Sequence, residues 1–182
     1  MPKPVFLIEG QMEQIIIRKI CRDLPAVRIG VNGKNVELAT IAKFCAARIR
    51  ILRGKHWPFI VIFDRERRQE SAHEVATTTI AHIHRELPDE DVRVIVADRT
   101  IENWIMFDHE ILAKKFKVDM PRRRVDGGHK TDLERILYPR AYHETTLGVD
   151  MFVACRPTKL RGSPSFLRLI ESITFECAWM RR

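Results

Sequence analysis

Three predominantly apolar runs, each followed by an acidic residue, constrain the fold of this chain more than any other feature. They are Val5–Ile8 before Glu9, Phe59–Phe63 before Asp64, and Val92–Val96 before Asp98. Short apolar runs with little polar alternation are typical of strands that are buried on both faces of a parallel sheet. The runs therefore predict the central strands of such a sheet, with acidic residues where the strands end.

Helical patterns separate these strands. We predict helices over residues 11–23, Leu38–Arg53, Ser71–Glu86 and from about Thr100 towards Phe116, with a further short strand at Val27–Val31. Strands that alternate with helices favour a parallel sheet with right-handed crossovers. The predicted fold class is thus α/β, with a mainly parallel four-stranded sheet flanked by helices.

The organisation changes after Lys117. A polar, basic loop comes first, and helical patterns follow at Thr131–Leu137, Tyr142–Ala154 and Ser163–Trp179. The Ser163-Pro164 pair suits the N-cap and first position of the last helix. Because 182 residues suit one compact domain, we assign residues 1–118 to an α/β core. Residues 119–182 are assigned to a basic loop and a C-terminal helical extension packed on the same domain.

The charge balance bears on the class of partner. The chain has 32 Lys and Arg against 24 Asp and Glu, a net charge of +8. Such an excess suits a polyanion, because each neutralised phosphate releases counterions, although a basic protein without such a partner has the same composition. No apolar run approaches the roughly 20 residues of a membrane span, and the start of the chain lacks a signal-peptide pattern. No membrane partner is expected.

The four cysteines, Cys21, Cys45, Cys155 and Cys177, form no C-x-x-C pair. Zinc ribbons and thioredoxin-like chemistry therefore lack their usual signature. Cys21 and Cys45 lie in helical patterns and are interpreted as reduced core residues. A cytoplasmic location is the expectation that follows.

Acidic residues from distant parts of the chain are predicted to meet at one edge of the sheet. In an open parallel sheet the carboxyl ends of the strands share an edge, and ligands bind there. The acids at the strand ends, or one helical turn beyond them, are Glu9, Glu13, Asp64, Glu66, Asp98 and Glu102. Repulsion among these carboxylates would raise their pKa values. A hard divalent cation, Mg²⁺ or Mn²⁺, would relieve the repulsion.

Several of these acids also have a purely structural interpretation. Asp98 can cap the next helix, and Glu102 can be a solvated first-turn acid that suits the helix dipole. Glu13 can be an exposed helix residue. Glu9 and Asp64 are harder to explain in structural terms alone, because each ends a strongly apolar strand.

Two basic segments are candidates for contact with phosphate: the arginines beside the acids, and the loop after the core. The residues are Arg65, Arg67, Arg68, Arg122, Arg123, Arg124 and Lys130. Arginine can contact phosphate or stabilise charge that develops in a transition state. The first group can equally balance the neighbouring acids, and the second can be a solvated loop. Trp104, beside Ile101 and Ile105, is interpreted as a core residue.

The acids and their strands resemble the motifs of the Toprim domain family. Val5–Gly10, followed by Glu13, is similar to the first Toprim motif, a strand that ends in Glu and then Gly. Phe59–Glu66 is similar to the second motif, which is usually Asp-x-Asp. Residues 97–108 and 142–166 resemble segments of small stand-alone bacterial Toprim proteins and OLD-type nucleases. The resemblance extends from residue 4 to about residue 175.

The resemblance implies a Toprim-like domain that acts on the phosphodiester bonds of DNA or RNA with Mg²⁺. It implies that Glu9 is a general acid or base, or a ligand of a second metal ion, and that Asp64 and Glu66 hold Mg²⁺. Asp98 or Glu102 would complete a second metal site of the kind that stabilises in-line displacement. The family has Asp where this chain has Glu66, and the longer side chain changes the expected metal geometry.

We therefore expect a Mg²⁺-dependent nuclease, a phosphodiester hydrolase with nucleic acid as its partner. By resemblance, a place in a bacterial anti-phage system is expected, with a partner protein such as an ATPase or a homo-oligomer as further options. The main alternative is a Toprim-like subunit that binds nucleic acid or a partner protein without cleaving. A nucleotide-binding domain is disfavoured, because neither a P-loop nor G-x-G-x-x-G follows the first strand.

Overall fold

A computed structural model describes residues 2–31, 36–118, 130–173, 175 and 177–180 of the chain. Its sheet contains four strands in the order β2-β1-β3-β4, all parallel. The strands are β1 (Lys3–Ile8), β2 (Ala26–Arg28), β3 (His56–Asp64) and β4 (Val92–Ala97). The predicted α/β class and the four-stranded parallel sheet are confirmed, although β2 is shorter than its apolar pattern predicts.

Three helices connect the strands, and their bounds agree closely with the periodic patterns. They are α1 (Gln11–Ile20), α2 (Leu38–Leu52) and α3 (Ala72–Glu86). The start of α3 is set by a capping box, in which the Ser71 hydroxyl accepts from the Glu74 N–H and the Glu74 carboxylate accepts from the Ser71 N–H. This reciprocal pair satisfies N–H groups that the first turn leaves without intrahelical partners.

The sheet is buried on both faces, which explains its continuously apolar strands. Alternate residues of β1 and β3 point to opposite sides, and each set packs with different helices. One face, with α2 and α3 against it, includes Val5, Leu7, Phe59, Val61 and Phe63. The other face, with α1 and helices from the C-terminal part of the chain, includes Phe6, Ile8, Ile60 and Ile62.

The chain after β4 is more broken than its pattern predicts. The single helix predicted from Thr100 towards Phe116 is wrong, because α4 (Glu102–Ile105) ends early and α5 (His109–Phe116) begins separately. Asp108 separates them as the N-cap of α5, where its carboxylate accepts from the Ile111 N–H. A residue whose side chain binds the backbone in this way favours a helix start over a helix interior.

The remaining helices are short. They are α6 (Lys130–Leu137), a π-helical turn (Glu144–Gly148), α7 (Val149–Ala154), α8 (Pro157–Leu160) and α9 (Pro164–Ser172). Ser163 occupies the N-cap of α9 and Pro164 its first position, as predicted. The helix predicted to run to Trp179 ends at Ser172. Trp104 is 1% exposed and packs against aromatic rings of α7 and α9, which confirms its interpretation as core.

The buried carboxylate of Asp108 also forms an ion pair with the partly exposed Arg156. Its side chain accepts hydrogen bonds from the Arg156 backbone N–H at 2.8 Å and from the Arg156 guanidinium. Arg156 contacts the exposed Glu110 as well. Although burial opposes ionisation of Asp108, these hydrogen bonds and the positive charge hold its pKa below the ordinary value.

The interpretation of Cys21 as a reduced residue is wrong in this structure. Cys21, at the end of α1, is joined to Cys177 by a disulfide across a separation of 156 residues. Spacing along the chain could not reveal this pair, because it depends on the C-terminal segment returning to α1. Cys45 and Cys155 are free and buried. The disulfide removes the argument from reduced thiols for a cytoplasmic location, which stays a prediction.

Within the ranges that the structure describes, every helix is too short or too polar to serve as a membrane span.

Candidate carboxylate site

The centre of the sheet provides a place where two strand ends can form a ligand site. From β1 the chain crosses to β2 on one side, whereas β3 lies on the other side of β1. Such a reversal in strand order opens a crevice at the carboxyl edge, where ligands bind in open α/β sheets. Glu9 follows β1 and Asp64 ends β3, so the two residues flank this crevice. Glu9 Oε2 accepts a hydrogen bond from the Asp64 N–H at 3.3 Å.

An acidic cavity of about 380 Å³ lies at this edge. Five of the six predicted acids line it, together with one that sequence reasoning missed. The acids are Glu9, Glu13, Asp64, Glu66, Glu102 and Glu144. We call this cavity the carboxylate cavity. Its walls come from the loop after β1, α1, the end of β3 and the loop after it, the loop after β4, α4, α6 and the π-helical turn. The fold thus brings together residues from most of the chain.

Asp64 lies in the least favourable surroundings for a charge. Its Oδ1 is buried and has no hydrogen-bond partner among the described residues. Burial raises the pKa of Asp64 well above its ordinary value, and the nearby carboxylates, Glu13 first among them, raise it further. A buried polar atom without a partner destabilises a fold, so this carboxylate is suited to a ligand that the protein itself does not supply.

Glu13 is 6% exposed, which excludes the alternative that it is an exposed helix residue. Burial raises its pKa to about 7, helped by the charges of Glu9, Glu102 and Glu144. Its carboxylate lies against Gly10, where a Cβ would meet Glu13 Oε2 at 2.4 Å. The backbone φ of Gly10 is −103°, which any residue adopts. This glycine therefore leaves room for the Glu13 carboxylate, and its backbone conformation is not a special one.

Glu9 has a similar but milder environment. Burial raises its pKa, while the hydrogen bond from the Asp64 N–H lowers it and the charge of Glu66 raises it again. The charge of Arg68 partly offsets the increase. Glu9 therefore holds a proton more readily than an exposed glutamate does.

Glu102 is 3% exposed, so the alternative of a solvated first-turn acid is wrong. Burial raises its pKa, opposed in part by hydrogen bonds that include one from the Tyr142 hydroxyl to Glu102 Oε1 at 3.0 Å. Gly148 permits this contact, because a Cβ there would meet Tyr142 Oη at 2.4 Å. The sequence showed no sign of this contact, because it depends on the π-helical turn before α7.

Lys130 pairs with Glu144, the acid of the cavity that the sequence analysis did not identify. Its Nζ lies 2.7 Å from Glu144 Oε1, and this hydrogen bond raises the pKa of Lys130. Both residues line the carboxylate cavity. Lys130, predicted to bind nucleic acid, thus lies at the acids, and it already neutralises one of them.

The two loops that carry the acids hold unusual backbone conformations. Glu66 has a φ of 58° and Arg99 a φ of 62°, in the left-handed region that non-glycine residues rarely adopt. The Glu66 N–H donates to the Arg99 carbonyl at 2.8 Å, which ties the loops together. Strained backbone of this kind clusters at functional sites. Both residues line the carboxylate cavity.

Asp98 does not join the other acids. It lies outside the residues that line the carboxylate cavity and pairs with Arg65, whose Nη2 is 2.8 Å from Asp98 Oδ1. It is also not the N-cap of α4, a position that Ile101 occupies. The structure thus separates Asp98 from the cluster with which it was predicted to act.

The three arginines after Asp64 have different roles. Arg65 pairs with Asp98 and also donates to carbonyls of its own loop, and Arg68 donates to the Arg65 and Val36 carbonyls. Arg67 is exposed and lines the carboxylate cavity. Only Arg67 among the three is thus placed to reach a ligand there. Arg122, Arg123 and Arg124 lie outside the described residues.

The donor set at the carboxylate cavity suits a hard divalent cation. It consists of carboxylate oxygens, the ligands that Mg²⁺ and Mn²⁺ prefer, and it includes the unpartnered Asp64 Oδ1. Across the described ranges, however, no three carboxylate, histidine or cysteine side chains already form an arrangement that could hold a metal ion. The residues therefore fit the chemistry of the ion, but their present positions do not form a complete coordination shell.

No family model, curated protein or solved structure matches this chain. The Toprim resemblance therefore stays a prediction from the sequence motifs Val5–Gly10 and Phe59–Glu66.

Proposed function

We propose that this protein is a Mg²⁺-dependent nuclease that hydrolyses phosphodiester bonds at the carboxylate cavity. The observation that carries the proposal is the Asp64 carboxylate, which ends a central strand beside Glu9 and has a buried oxygen without a partner. Four further acids line the same cavity. Lys130 pairs with Glu144, but the charges around Asp64 and Glu13 come from other acids. Concentrating carboxylates in this way costs stability, and such sites are typically functional.

The metal-binding role is assigned to the acids around Asp64. Asp64, Glu66 and Glu13 would hold Mg²⁺, with Glu102 available for a second ion. Bound Mg²⁺ would polarise the phosphodiester and lower the pKa of a water molecule. The Tyr142 hydroxyl orients Glu102 through their hydrogen bond. Asp98, tied to Arg65, is the weakest of the proposed ligands.

Proton transfer is assigned to Glu9. In hydrolysis the water oxygen bonds to phosphorus, the bond from phosphorus to the leaving oxygen breaks, and the leaving oxygen takes a proton. A carboxyl group with a raised pKa is protonated for more of the time near neutral pH, which suits it to donate that proton. The raised pKa of Glu9 supports this role. The exposed Arg67 at the cavity would contact a phosphate oxygen.

The net charge of +8 supports a nucleic-acid substrate. The proposal keeps DNA and RNA as alternatives, together with a role in a bacterial anti-phage system, an ATPase-like partner protein and a homo-oligomer. A cytoplasmic location belongs to the same proposal. These points rest on the Toprim resemblance and on composition, and the cleavage experiment below addresses the substrate directly.

A non-cleaving nucleic-acid or partner-binding subunit is the second candidate. Two observations favour it. No ready coordination group exists among the described side chains, and Asp98 forms an ion pair with Arg65 instead of joining the acids. Such a subunit would bind nucleic acid without needing a divalent cation.

Cleavage assays decide between the two candidates. Wild-type protein is incubated with single- and double-stranded DNA, plasmid, tRNA and other RNA, in Mg²⁺, Mn²⁺ or EDTA. Glu9→Gln and Asp64→Asn are compared with Asp150→Asn, a matched control at an exposed aspartate paired with Lys19. We expect metal-dependent cleavage that falls by about 1,000-fold or more in the first two variants and is unchanged in Asp150→Asn.

Two results would contradict the nuclease. Equal cleavage by wild type, Glu9→Gln and Asp64→Asn would place any activity elsewhere. Binding of nucleic acid in EDTA, with no substrate cleaved in either metal, would favour the non-cleaving subunit. Metal binding is checked separately by thermal unfolding. Mg²⁺ should raise the Tm of wild type more than that of Asp64→Asn, and equal shifts would remove Asp64 from the ligands.

A further inference from the structure

A second cavity of about 650 Å³ lies on the other side of the loops that follow β3 and β4. The loops divide their residues between the two cavities. Glu66 and Arg99 line the carboxylate cavity, whereas Arg65 and Asp98, their chain neighbours, line the second. We call the second one the serine cavity, because Ser163 and Ser165 form part of its wall. Two arginines, Arg65 and Arg168, match the two acids of the serine cavity in number, whereas six acids line the carboxylate cavity, so the electrostatic character of the two cavities differs.

A largely buried amide also lines the serine cavity. Asn103 is 4% exposed. Its backbone N–H donates to the Thr100 carbonyl, and no described residue forms a hydrogen bond with its side chain. The two N–H donors of the amide are therefore available to a ligand in the cavity.

The N-terminus of α9 opens at the same cavity. Ser163 is its N-cap, yet the Ser163 side chain makes no capping hydrogen bond and lies 3.2 Å from Ser165 Oγ instead. The first-turn N–H groups of Ser165 and Phe166 therefore receive no acceptor from the cap residue. Free N–H groups and the positive end of the helix dipole favour an anion at this position.

One arginine at the serine cavity has hydrogen-bond donors that an anion could use. Arg168 lies on α9 and lines the cavity, and its Nε donates to the Pro164 carbonyl while its terminal nitrogens are uncommitted. The two carboxylates that line the cavity are both engaged. Asp98 pairs with Arg65, and Glu74 accepts from the Ser71 N–H in the capping box. The free donors thus come from Arg168, Asn103 and the start of α9.

We propose that the serine cavity binds a phosphate group of a nucleic acid, held by Asn103, Arg168 and the first turn of α9. This inference rests on the proposed function for the identity of the ligand, since the same donors would hold inorganic phosphate. The phosphate would lie across the shared loops from the carboxylate cavity. A nucleic-acid strand would thereby be positioned at one point while the carboxylate cavity acts at another.

The test uses the full-length protein in EDTA, so that no divalent cation contributes to binding. Inorganic phosphate is titrated while the amide NMR signals of Ser165 and Phe166 are followed. Oligonucleotides of one sequence, with a 5′-phosphate or a 5′-hydroxyl end, are compared by calorimetry. The variants are Arg168→Gln and Asn103→Asp. Lys43→Gln, at an exposed lysine of α2 outside both cavities, loses the same charge as Arg168→Gln and is the matched control.

We expect saturable phosphate binding that shifts the two amide signals. Because it loses one charge-assisted contact, Arg168→Gln should bind phosphate about tenfold more weakly than wild type. Asn103→Asp should weaken binding at least as much. Lys43→Gln should stay within about twofold of wild type. Preference for the 5′-phosphorylated strand would identify a terminal phosphate, and equal affinities would identify an internal phosphodiester. No saturable binding, or equal weakening in Lys43→Gln, would overturn the proposal. Arg168→Gln keeps the test decisive if Asn103→Asp fails to fold.

Failure of the nuclease and failure of this site give different results. Asp64→Asn should lose cleavage but retain phosphate binding at the serine cavity. If the protein binds phosphate but cleaves no nucleic acid, the proposed nuclease activity is contradicted and the proposed phosphate site is supported. If the protein cleaves nucleic acid but Arg168→Gln and Asn103→Asp leave phosphate binding unchanged, the nuclease is supported and the phosphate site is contradicted.

Discussion

Asp64 at the sheet edge and Asp108 among the C-terminal helices both place carboxylate oxygens away from solvent, but their surroundings differ. Asp108 accepts from the Arg156 backbone, the Arg156 guanidinium and the Ile111 N–H. Asp64 has an oxygen with no partner among the described residues, and its neighbours are other acids. The pKa of Asp108 is lowered, and the pKa of Asp64 is raised.

The two aspartates show which acids stabilise the fold. A guanidinium and backbone donors around a buried carboxylate stabilise its ionised form, whereas neighbouring carboxylates destabilise it. The pair at Asp108 therefore contributes to stability. The cluster at Asp64 costs stability, and the cost is explained if its role is to bind a ligand.

The largest effect on stability is expected from the disulfide that ties the C-terminal region to α1. Replacing Cys21 and Cys177 with alanine should lower the free energy of unfolding by about 4 kcal/mol, because the bond closes a long loop in the unfolded chain. Urea denaturation measures the change. Wild type in reducing buffer should match the double variant. If both unfold like the oxidised wild type, the C-terminal region is held by its side-chain packing alone.

Breaking the Asp108 pair should have the next largest effect. Asp108→Asn should lower the free energy of unfolding by about 2–3 kcal/mol, since it removes the negative charge that accepts hydrogen bonds from Arg156. Asparagine is as good an N-cap as aspartate, so the cap of α5 is retained. Glu110→Gln is the control, because Glu110 is exposed and shares the same arginine. Its effect should be much smaller, because exposed ion pairs contribute little. Equal losses in the two variants would show that burial of Asp108 contributes nothing.

The pH dependence should expose the opposite character of the carboxylate cavity. The pKa of folded Glu13 is about 7, above its ordinary value of 4.5, so the folded state binds more protons than the unfolded state between these values. Stability in EDTA should therefore fall as pH rises from 4.5 to 7, by about 2 kcal/mol. Glu13→Gln should flatten this slope. If stability instead rises with pH across this window, positively charged groups of the protein already offset the acids of the carboxylate cavity.

The smallest expected change is an increase in stability. In EDTA, Asp64→Asn should raise the free energy of unfolding by about 1 kcal/mol, because it removes a buried charge repelled by other acids. Asp150→Asn, at the exposed surface, should change it by less than about 0.5 kcal/mol. A loss of stability in Asp64→Asn would show that the aspartate has a structural partner, and the comparison with Asp108 would fail.

The strands and their terminal acids were predictable because they are local features. Continuous apolar runs identify strands buried on both faces, and the parallel arrangement brings their ends to one edge. Glu9 and Asp64 thus lie together as expected. The break before α5 was not predicted, because the apolar pattern continues through it and the N-cap contacts of Asp108 that begin α5 are not visible in that pattern.

Other parts of the cavity depend on contacts between distant segments. Glu144 and Tyr142 reach the acids through a π-helical turn, a local irregularity with no clear sequence signature. The Cys21–Cys177 bond likewise depends on where the C-terminal segment returns. Neither could be found from spacing along the chain.

Local sequence patterns were sufficient to predict the α/β class, the central strands and the position of acids at their ends, because hydrophobic periodicity acts over a few residues. Which acids share a cavity depends on tertiary contacts. Asp98 follows a strand as Asp64 does, yet it pairs with Arg65, while Glu102 lines the carboxylate cavity. The direction of each side chain depends on the loop conformation around it and on partners supplied by distant residues, and neither is encoded in a local pattern.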